Sequence, residues 1–183
     1  MYEFTQDWID QSDIKKHLLQ IISIRLENHI LEIGSYEGAS ACFFSDVLLN
    51  HPNSSLTCVD PFIADDTTFN VGEETFQRFC SNIQRSKHAA KVTLHKMLSR
   101  DFFTGNKKLY NLIYIDGSHK LEDIEHDFRE AMKIVCKQGV IWMDDYMGGK
   151  NNEIKTLIDS LIEEYKDYIH VMFRGWQIAV QVL

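Results

Sequence analysis

The segment from residue 29 to 40, His-Ile-Leu-Glu-Ile-Gly-Ser-Tyr-Glu-Gly-Ala-Ser, constrains the fold more than any other part of this 183-residue chain. Its apolar run is long enough for a buried strand and too short for a helix. Gly34 and Gly38 bracket a tight turn, and residues 39–49 then have the pattern of a helix packed on a sheet. In an open α/β sheet, such a turn lets a ligand approach backbone N–H groups and a helix N-terminus.

The spacing of the two glycines separates two interpretations of this turn. A dinucleotide fingerprint needs Gly-x-Gly-x-x-Gly, whereas here Tyr36 and Glu37 stand inside the turn, where a pyrophosphate would meet their side chains. The spacing therefore disfavours a nicotinamide-dependent oxidoreductase. On this stretch alone, an ordinary strand–turn–helix unit with two glycines stays open.

Composition limits the classes of protein to which the chain can belong. With 44% hydrophobic and 25% charged residues, it has the composition of one ordinary globular domain. The net charge of −8 disfavours a nucleic-acid partner, which would need a basic face. No apolar stretch reaches the length of a membrane span, and the four cysteines, none in a Cys-x-x-Cys pair, indicate reduced core residues. We therefore expect a cytoplasmic protein with neither a nucleic-acid nor a membrane partner.

Strand-like and helix-like patterns alternate five times before a closing hairpin. The strand patterns lie at residues 30–33, 56–59, 92–94, 111–116 and 140–143, and the hairpin spans 168–173 and 176–182. The helix patterns lie at residues 13–26, 39–49, 73–83 and 151–165, and one more begins at Leu121 and ends at Gly139. This alternation predicts an α/β fold with a doubly wound, Rossmann-like sheet of seven strands, mostly parallel, with an antiparallel C-terminal hairpin edge. We expect a single domain over residues 1–183, in which a helical segment of residues 1–28 covers the sheet.

Acidic residues follow several of the predicted strands. Gly34, Asp60, Asp116 and the pair Asp144–Asp145 end the first, second, fourth and fifth strands, so they should meet at one edge of the sheet. Three carboxylates close together repel one another unless one is protonated or a cation lies between them. Ligands that are all oxygen suit magnesium or manganese. The alternative is that Asp144 or Asp145 caps a helix or solvates a loop.

Residues near the second and third strands have the positions expected of a nucleoside site. Asp60 follows the second strand about twenty residues after the glycine turn, where a carboxylate can accept hydrogen bonds from both hydroxyls of a ribose. Phe62 could lie against an adenine face, and Ser99 has a position from which adenine edges are contacted. A surface aspartate before a proline turn is the alternative for Asp60.

Four motifs together carry a resemblance to a known family: Leu-Glu-Ile-Gly-Ser-Tyr-Glu-Gly-Ala-Ser, Cys-Val-Asp-Pro-Phe, Ile-Tyr-Ile-Asp-Gly-Ser-His and Trp-Met-Asp-Asp-Tyr. The chain resembles class I S-adenosylmethionine-dependent methyltransferases, and within them the branch of cephalosporin-hydroxylase-like, macrolide-sugar and rhamnosyl O-methyltransferases. The resemblance implies that the glycine turn holds the methionine part of the cofactor and Asp60 its ribose. The full set of expected cofactor-binding residues is Glu32, Gly34, Ser35, Tyr36, Gly38, Ser40, Asp60, Phe62, Ser99 and Asp116.

The resemblance also implies a catalytic centre. Asp116, Asp144 and Asp145 match the positions that bind magnesium in the sugar-modifying members, and manganese could replace it. The catalytic residues would then be Asp116 and His119, since His119 could take the proton of an acceptor hydroxyl. Two alternatives for His119 stay open, a base or a residue that holds the turn or caps the next helix.

The acceptor is expected to be a small-molecule hydroxyl, on a sugar or nucleotide-sugar by analogy with the branch. Its pocket would come from the amino-terminal segment, a flap at residues 63–71, the loop 147–150 and the turn 174–176. Trp8 is interpreted as a core plug in preference to a part of the site mouth. An N-methyltransferase is disfavoured, because its usual Asn/Asp-Pro-Pro-Tyr is replaced by Asp-Gly-Ser-His. A metal-independent enzyme, an inactive cofactor-binding domain and a homo-oligomer remain open.

Overall fold

The structure, a computed structural model, describes residues 1–63 and 71–183. Within these ranges, the chain forms seven strands. In chain order they are β1 (His29–Ile33), β2 (Ser55–Val59), β3 (Val92–His95), β4 (Tyr110–Ile115), β5 (Val135–Met143), β6 (Ile169–Arg174) and β7 (Ile178–Val182). They make one sheet in the order β3-β2-β1-β4-β5-β7-β6.

The pairing of the strands confirms the predicted fold class. β1 to β5 run parallel to one another, whereas β7 is antiparallel to both β5 and β6. β7 inserts between β5 and β6, so the hairpin presents only β6 at the edge. The order reverses at β1, which pairs with β2 on one side and β4 on the other. In an open sheet, this switch point is where a crevice for a ligand opens at the carboxyl ends of the strands.

Helices cover both faces of the sheet. Seven α-helices occur in the described residues: α1 (Trp8–Gln11), α2 (Asp13–Ile21), α3 (Ala39–Leu48), α4 (Glu73–Arg85), α5 (Ser99–Gly105), α6 (Leu121–Ile134) and α7 (Glu153–Glu164). Leu18 of α2 and Phe44 of α3 pack with Trp142 in one buried cluster, and Phe128 of α6 packs with Ile141 in the other. Since Ile141 and Trp142 are successive residues of β5, the two clusters lie on opposite faces. No helix of the two described ranges is both long and apolar enough to cross a membrane.

The helix predicted over residues 13–26 is too long, because it ends at Ile21. The buried side chain of Asn28 is the physical reason. Its amide donates hydrogen bonds to the carbonyl oxygens of Ser23, at 3.1 Å, and Leu26, at 3.2 Å. These bonds stabilise a turn where the apolar pattern predicted another helical turn.

The prediction that Gly139 ends a helix is also wrong. α6 ends at Ile134, and β5 begins at Val135 with a register shift against β4. An added Cβ at Gly139 would lie 2.7 Å from the Val135 side chain and 2.8 Å from the carbonyl oxygen of Cys136. Gly139 therefore allows an irregular strand start in which the chain folds closely against itself. The sequence pattern also missed α5, whose Phe102 and Phe103 are buried.

Candidate active site

The carboxyl ends of β2, β1, β4 and β5 lie side by side, and the parallel ladder continues one residue beyond each strand. The N–H of Gly34 donates to the carbonyl oxygen of Val59 at 2.9 Å. The N–H of Asp116 donates to Ile33 at 2.8 Å, and the N–H of Asp144 donates to Ile115 at 2.9 Å. The residues that the sequence placed at these strand ends therefore do come to one edge of the sheet.

The glycine turn packs closely at Gly34 against the backbone that follows β4. The φ of Gly34 is +83°, and an added Cβ would lie 1.9 Å from the carbonyl oxygen of Asp116. No side chain fits there, so the backbone of the turn packs directly on the backbone that follows β4. Gly38 also has a φ of +83°, in the left-handed region, and α3 begins at the next residue. Both glycines are thus required by backbone geometry.

Glu32 is fully buried beneath the turn and binds two of the predicted serines. Its carboxylate accepts hydrogen bonds from the hydroxyls of Ser35, at 2.5 Å, and Ser40, at 2.6 Å. Burial raises the pKa of Glu32 to about 7, although the two serine hydroxyls favour the ionised form. In this arrangement, the hydroxyl protons of Ser35 and Ser40 point to Glu32, which leaves the oxygen lone pairs of both serines to accept from a donor in the turn.

Asp60 fixes the turn from the end of β2. One carboxylate oxygen accepts from the N–H groups of Ser35, at 2.8 Å, and Tyr36, at 2.9 Å, and the other accepts from Phe62 at 2.7 Å. An ionised carboxylate has about four lone-pair sites, so three donors leave capacity for one more. A ribose hydroxyl could use it, and the ribose role of Asp60 stays a prediction.

The two residues predicted to contact adenine have different surroundings. Phe62 is only 4% exposed, and its ring centroid lies 5.1 Å from that of Phe76 and 5.5 Å from that of Phe79. Its ring is therefore packed in the core, and its contact with adenine stays a prediction. Ser99 is half-buried at the start of α5, beyond the end of β3. The flap predicted at residues 63–71 lies almost wholly outside the described residues.

A tyrosine that the sequence analysis did not select joins two of the three carboxylates. The hydroxyl of Tyr114 lies 3.1 Å from Oδ2 of Asp116 and 2.8 Å from Oδ2 of Asp144. Burial raises the pKa of Asp116 well above its usual range, and the charges of Asp144 and Asp145 raise it further. A phenol donates one proton at a time, so it cannot satisfy both carboxylates. Asp144 also accepts from the N–H of Asp145 at 2.7 Å, so the charge of Asp116 is the one that a proton or a cation would have to compensate.

The third carboxylate, Asp145, faces His119. Nε2 of His119 lies 2.7 Å from Oδ2 of Asp145, across the ends of β4 and β5. Asp145 has a φ of +51°, a conformation that turns it out of the line of β5. α6 begins after its N-cap residue Lys120, whose side chain makes no capping hydrogen bond. The imidazole and its carboxylate form an exposed pair at the site mouth.

The donor set of the three carboxylates suits a hard cation, because every donor is oxygen. In the described residues, no lysine or arginine forms an ion pair with Asp116 or Asp144. As arranged, however, the described part of the chain contains no group of three His, Cys, Asp or Glu side chains that could hold a metal ion. Instead, Oδ2 of Asp145 faces His119, and the Oδ2 atoms of Asp116 and Asp144 face the hydroxyl of Tyr114, so the three carboxylates do not converge on one point.

Gln177 is a second residue that sequence reasoning missed. It is 1% exposed, and its Oε1 accepts from the N–H of Ile14 at 2.7 Å and from Nε1 of Trp142 at 2.9 Å. Its Nε2 donates to the hydroxyl of Tyr114 at 3.4 Å. Gln177 thus connects α2, β5 and the hairpin to the carboxylate cluster. No local pattern signals this role, because its partners are distant in the sequence.

Aromatic side chains lie around the mouth of the site. Trp8 is 45% exposed, and its ring centroid lies 5.3 Å from that of Tyr36, so its interpretation as a core plug is wrong. The reason is that α1 has no buried residue and lies over the glycine turn. Trp176 is 58% exposed, and its carbonyl oxygen accepts from the N–H of Met147 at 3.1 Å. The loop 147–150 and the turn 174–176, both expected in the acceptor pocket, are therefore in contact.

Solved structures with the same fold include enzymes of different classes. The O-methyltransferase TomG from Streptomyces achromogenes, involved in tomaymycin synthesis and solved with S-adenosylmethionine, is 16% identical, with a TM-score of 0.69 over 94% of this chain and 80% of its own. An O-methyltransferase from Bacillus cereus, in complex with S-adenosylhomocysteine, is 17% identical, with a TM-score of 0.67 over 94% of this chain and 81% of its own. An rRNA methylase from Streptococcus thermophilus is 9% identical, with a TM-score of 0.68 over 99% of both chains. At these identities, the likeness shows the fold and does not show the acceptor.

The sequence itself assigns the family. No curated protein matches this chain significantly. Residues 31–146 match the protein family described as Methyltransferase domain, and this range contains the glycine turn, Asp60, His119 and all three carboxylates. The methyltransferase prediction is thereby confirmed: the chain belongs to the methyltransferase domain family.

Proposed function

We propose that this protein is an S-adenosylmethionine-dependent O-methyltransferase that acts on the hydroxyl of a small molecule. The observation that carries the proposal is the His119–Asp145 pair, at 2.7 Å, on the same sheet edge as the glycine turn. A base and a cofactor turn at one edge are what methyl transfer to a hydroxyl needs. Two O-methyltransferases of the same fold, from Streptomyces achromogenes and Bacillus cereus, were solved with this cofactor or its demethylated product, which supports the proposal.

The proposed cofactor site uses the turn and the end of β2. Ser35 and Ser40, oriented by Glu32, would bind the methionine part, and Asp60 would accept from the ribose. Asp116 would border the methyl group, because its backbone packs on Gly34. The acidic turn also suits a cofactor that carries an ammonium and a sulfonium.

In the proposed reaction, an acceptor oxygen attacks the methyl carbon in line with the carbon–sulfur bond. The electron pair of that bond goes to sulfur, and the products are a methyl ether and S-adenosylhomocysteine. The acceptor proton goes to a ring nitrogen of His119. Asp145 orients the ring and stabilises the imidazolium that forms, as a carboxylate does for other histidine bases.

A divalent cation is a separate part of the proposal. The uncompensated charge of Asp116 beside the hydroxyl of Tyr114 supports it, and magnesium or manganese suits the oxygen donors Asp116, Asp144 and Asp145. When bound, such an ion would lower the pKa of a coordinated acceptor hydroxyl. The proton transfer to His119 does not depend on it.

The acceptor class is proposed from the resemblance and the charge. A sugar or nucleotide-sugar hydroxyl remains the proposed acceptor, because the branch that the motifs resemble modifies sugars. The net charge of −8 disfavours nucleic acid, which a protein binds through a basic surface. A domain that binds the cofactor without turnover is the competing candidate, and activity distinguishes the two.

A methyl-transfer screen tests the proposal. The protein is incubated with methyl-labelled S-adenosylmethionine over glycosides, nucleotide-sugars and phenols, with excess EDTA or with magnesium. We expect transfer to at least one hydroxyl acceptor, lower turnover in EDTA and recovery with magnesium. Full turnover in EDTA would contradict the proposed role of the divalent cation and leave the rest of the proposal unchanged. No transfer to any acceptor would favour a domain that binds the cofactor without turnover.

The variant His119→Ala is the sharpest arm of this screen. We expect it to lower turnover roughly 100-fold or more, the range for loss of a general base. S-adenosylhomocysteine affinity should stay near the wild-type value, because His119 faces Asp145 and not the turn. His51→Ala is the control, since His51 faces Glu27 in the loop before β2, at the opposite edge of the sheet from the carboxyl ends of the strands. Equal turnover of the two variants would contradict the role of His119 as the general base.

A further inference from the structure

Glu37 stands inside the glycine turn, yet the proposed cofactor set does not use it. Its side chain is 1% exposed, and its carboxylate accepts hydrogen bonds from the N–H of Thr5 at 2.6 Å and from the Thr5 hydroxyl at 2.9 Å. The guanidinium of Arg78 donates to it at 3.1 Å. A buried carboxylate is costly unless it is paired. Here the pairing joins the turn to α4 and to the amino-terminal segment.

Asn82 of α4 extends the same connection. It is fully buried, and its amide donates to the carbonyl oxygens of Glu37 and Glu3, both at 3.0 Å. Its Oδ1 accepts from the N–H of Glu3 at 2.8 Å. The backbone from residue 3 to residue 5 is therefore bound by two buried side chains, one on the turn and one on α4. Although the segment lies largely at the surface, its position is specified by these buried groups.

This fixed segment leads directly to Trp8. The ring centroid of Trp8 lies 5.3 Å from that of Tyr36, the residue before Glu37. The N–H of Tyr36 donates to Oδ2 of Asp60 at 2.9 Å, so Tyr36 belongs to the part of the turn that Asp60 holds. Three residues after Thr5, the chain thus places an exposed aromatic ring on the proposed cofactor site.

We propose that Glu37 is a positioning residue of the cofactor site. It fixes residues 3–8, so that Trp8 forms one wall of the pocket in which S-adenosylmethionine binds. This inference rests on the proposed function. It implies that cofactor binding and protection of the amino-terminal segment are coupled, because Glu37 holds the segment that carries Trp8 to the pocket. Loss of the connection should raise KM for S-adenosylmethionine and leave kcat near the wild-type value.

The test combines calorimetry with hydrogen exchange, using S-adenosylhomocysteine as the probe. In the wild type, we expect the probe to slow backbone exchange in a peptide that covers residues 1–11. Glu37→Gln should lower probe affinity about tenfold or more, the scale of losing hydrogen bonds to a charged group, and should abolish this protection. Melting curves of each variant show that the fold is intact.

A matched set on the segment separates positioning from general stability. Thr5→Val removes one hydroxyl donor to Glu37 without touching the turn, and should weaken probe binding several-fold. Thr5→Ser keeps the hydroxyl and should restore the affinity. Thr104→Val is the control, because it removes an exposed threonine hydroxyl on α5, which donates to the carbonyl oxygen of Arg100 at 3.0 Å. It should bind the probe like the wild type.

Each result decides the inference. Wild-type probe affinity in folded Glu37→Gln would overturn it, as would equal exchange in residues 1–11 with and without the probe. If Glu37→Gln does not fold, the two Thr5 variants test the inference in its place. Equal affinities of Thr5→Val and Thr5→Ser for S-adenosylhomocysteine would then overturn it. A wild-type protein that does not bind the probe at all would instead overturn the proposed function, and with it the basis of the inference.

Discussion

At the residue scale, the carboxylates of this site differ in what surrounds them. Asp60 accepts three backbone N–H groups, and Asp145 faces an imidazole. Glu32 and Asp116 differ from these two residues, because burial raises the pKa of both Glu32 and Asp116. Such groups favour the protonated form in the folded protein, so they make the stability of the protein depend on pH.

Glu32 gives a pH dependence whose sign follows from its shift. Its pKa rises from 4.5 in the unfolded chain to about 7 in the folded protein. Between these values, the folded state holds a proton that the unfolded state has lost, so stability falls as pH rises from 4.5 to about 7. At about 1.4 kcal/mol per pKa unit, the loss is about 3 kcal/mol.

Glu32→Gln isolates this effect. Denaturant unfolding between pH 4 and pH 8 should show a shallower decline in the variant than in the wild type, because glutamine does not titrate. Asp116 and Asp144 contribute with the same sign and remain in both proteins, so the difference reports Glu32 together with the part of the Asp116 shift that the charge of Glu32 causes. Parallel stability curves for the two proteins would show that Glu32 does not titrate in this window.

At the scale of elements, the hairpin of β6 and β7 contributes more than an edge to the sheet. β7 pairs with β5, and Gln177, just before β7, connects the hairpin to α2 and to Tyr114. The turn before β7 therefore holds the proposed wall of the acceptor pocket and the Tyr114 hydroxyl between the carboxylates in one arrangement. Neighbouring elements are connected here by side chains that are distant in the sequence.

Gln177→Ala tests this connection. It leaves the N–H of Ile14 and Nε1 of Trp142 without their acceptor, and each buried unpaired donor costs about 1–3 kcal/mol. We expect the free energy of unfolding to fall by roughly 2–4 kcal/mol in a denaturant titration. Gln181→Ala, on β7 itself, loses one exposed hydrogen bond to the Gln138 carbonyl oxygen and should cost well under 1 kcal/mol. Similar losses in the two variants would contradict the role of Gln177.

At the scale of the whole molecule, the sequence predicted the parts of the fold that local patterns control. Apolar runs located five parallel strands, and because parallel strands end at one edge, they also brought Gly34, Asp60, Asp116 and Asp144 together. The hairpin was predicted, but the insertion of β7 beside β5 depends on pairing between distant strands. The contacts of Tyr114 and Gln177 could not be predicted for the same reason, since their partners meet only in the folded sheet.

The central claim is that the glycine turn and Asp60 bind S-adenosylmethionine, and calorimetric titration with S-adenosylhomocysteine tests it most directly. We predict binding in the low-micromolar range or weaker and no binding of NAD, because Tyr36 and Glu37 occupy the turn where a pyrophosphate would lie. Asp60→Ala should weaken binding by about 1–3 kcal/mol, the scale of hydrogen bonds to a charged group. Binding of NAD without binding of S-adenosylhomocysteine would contradict the account.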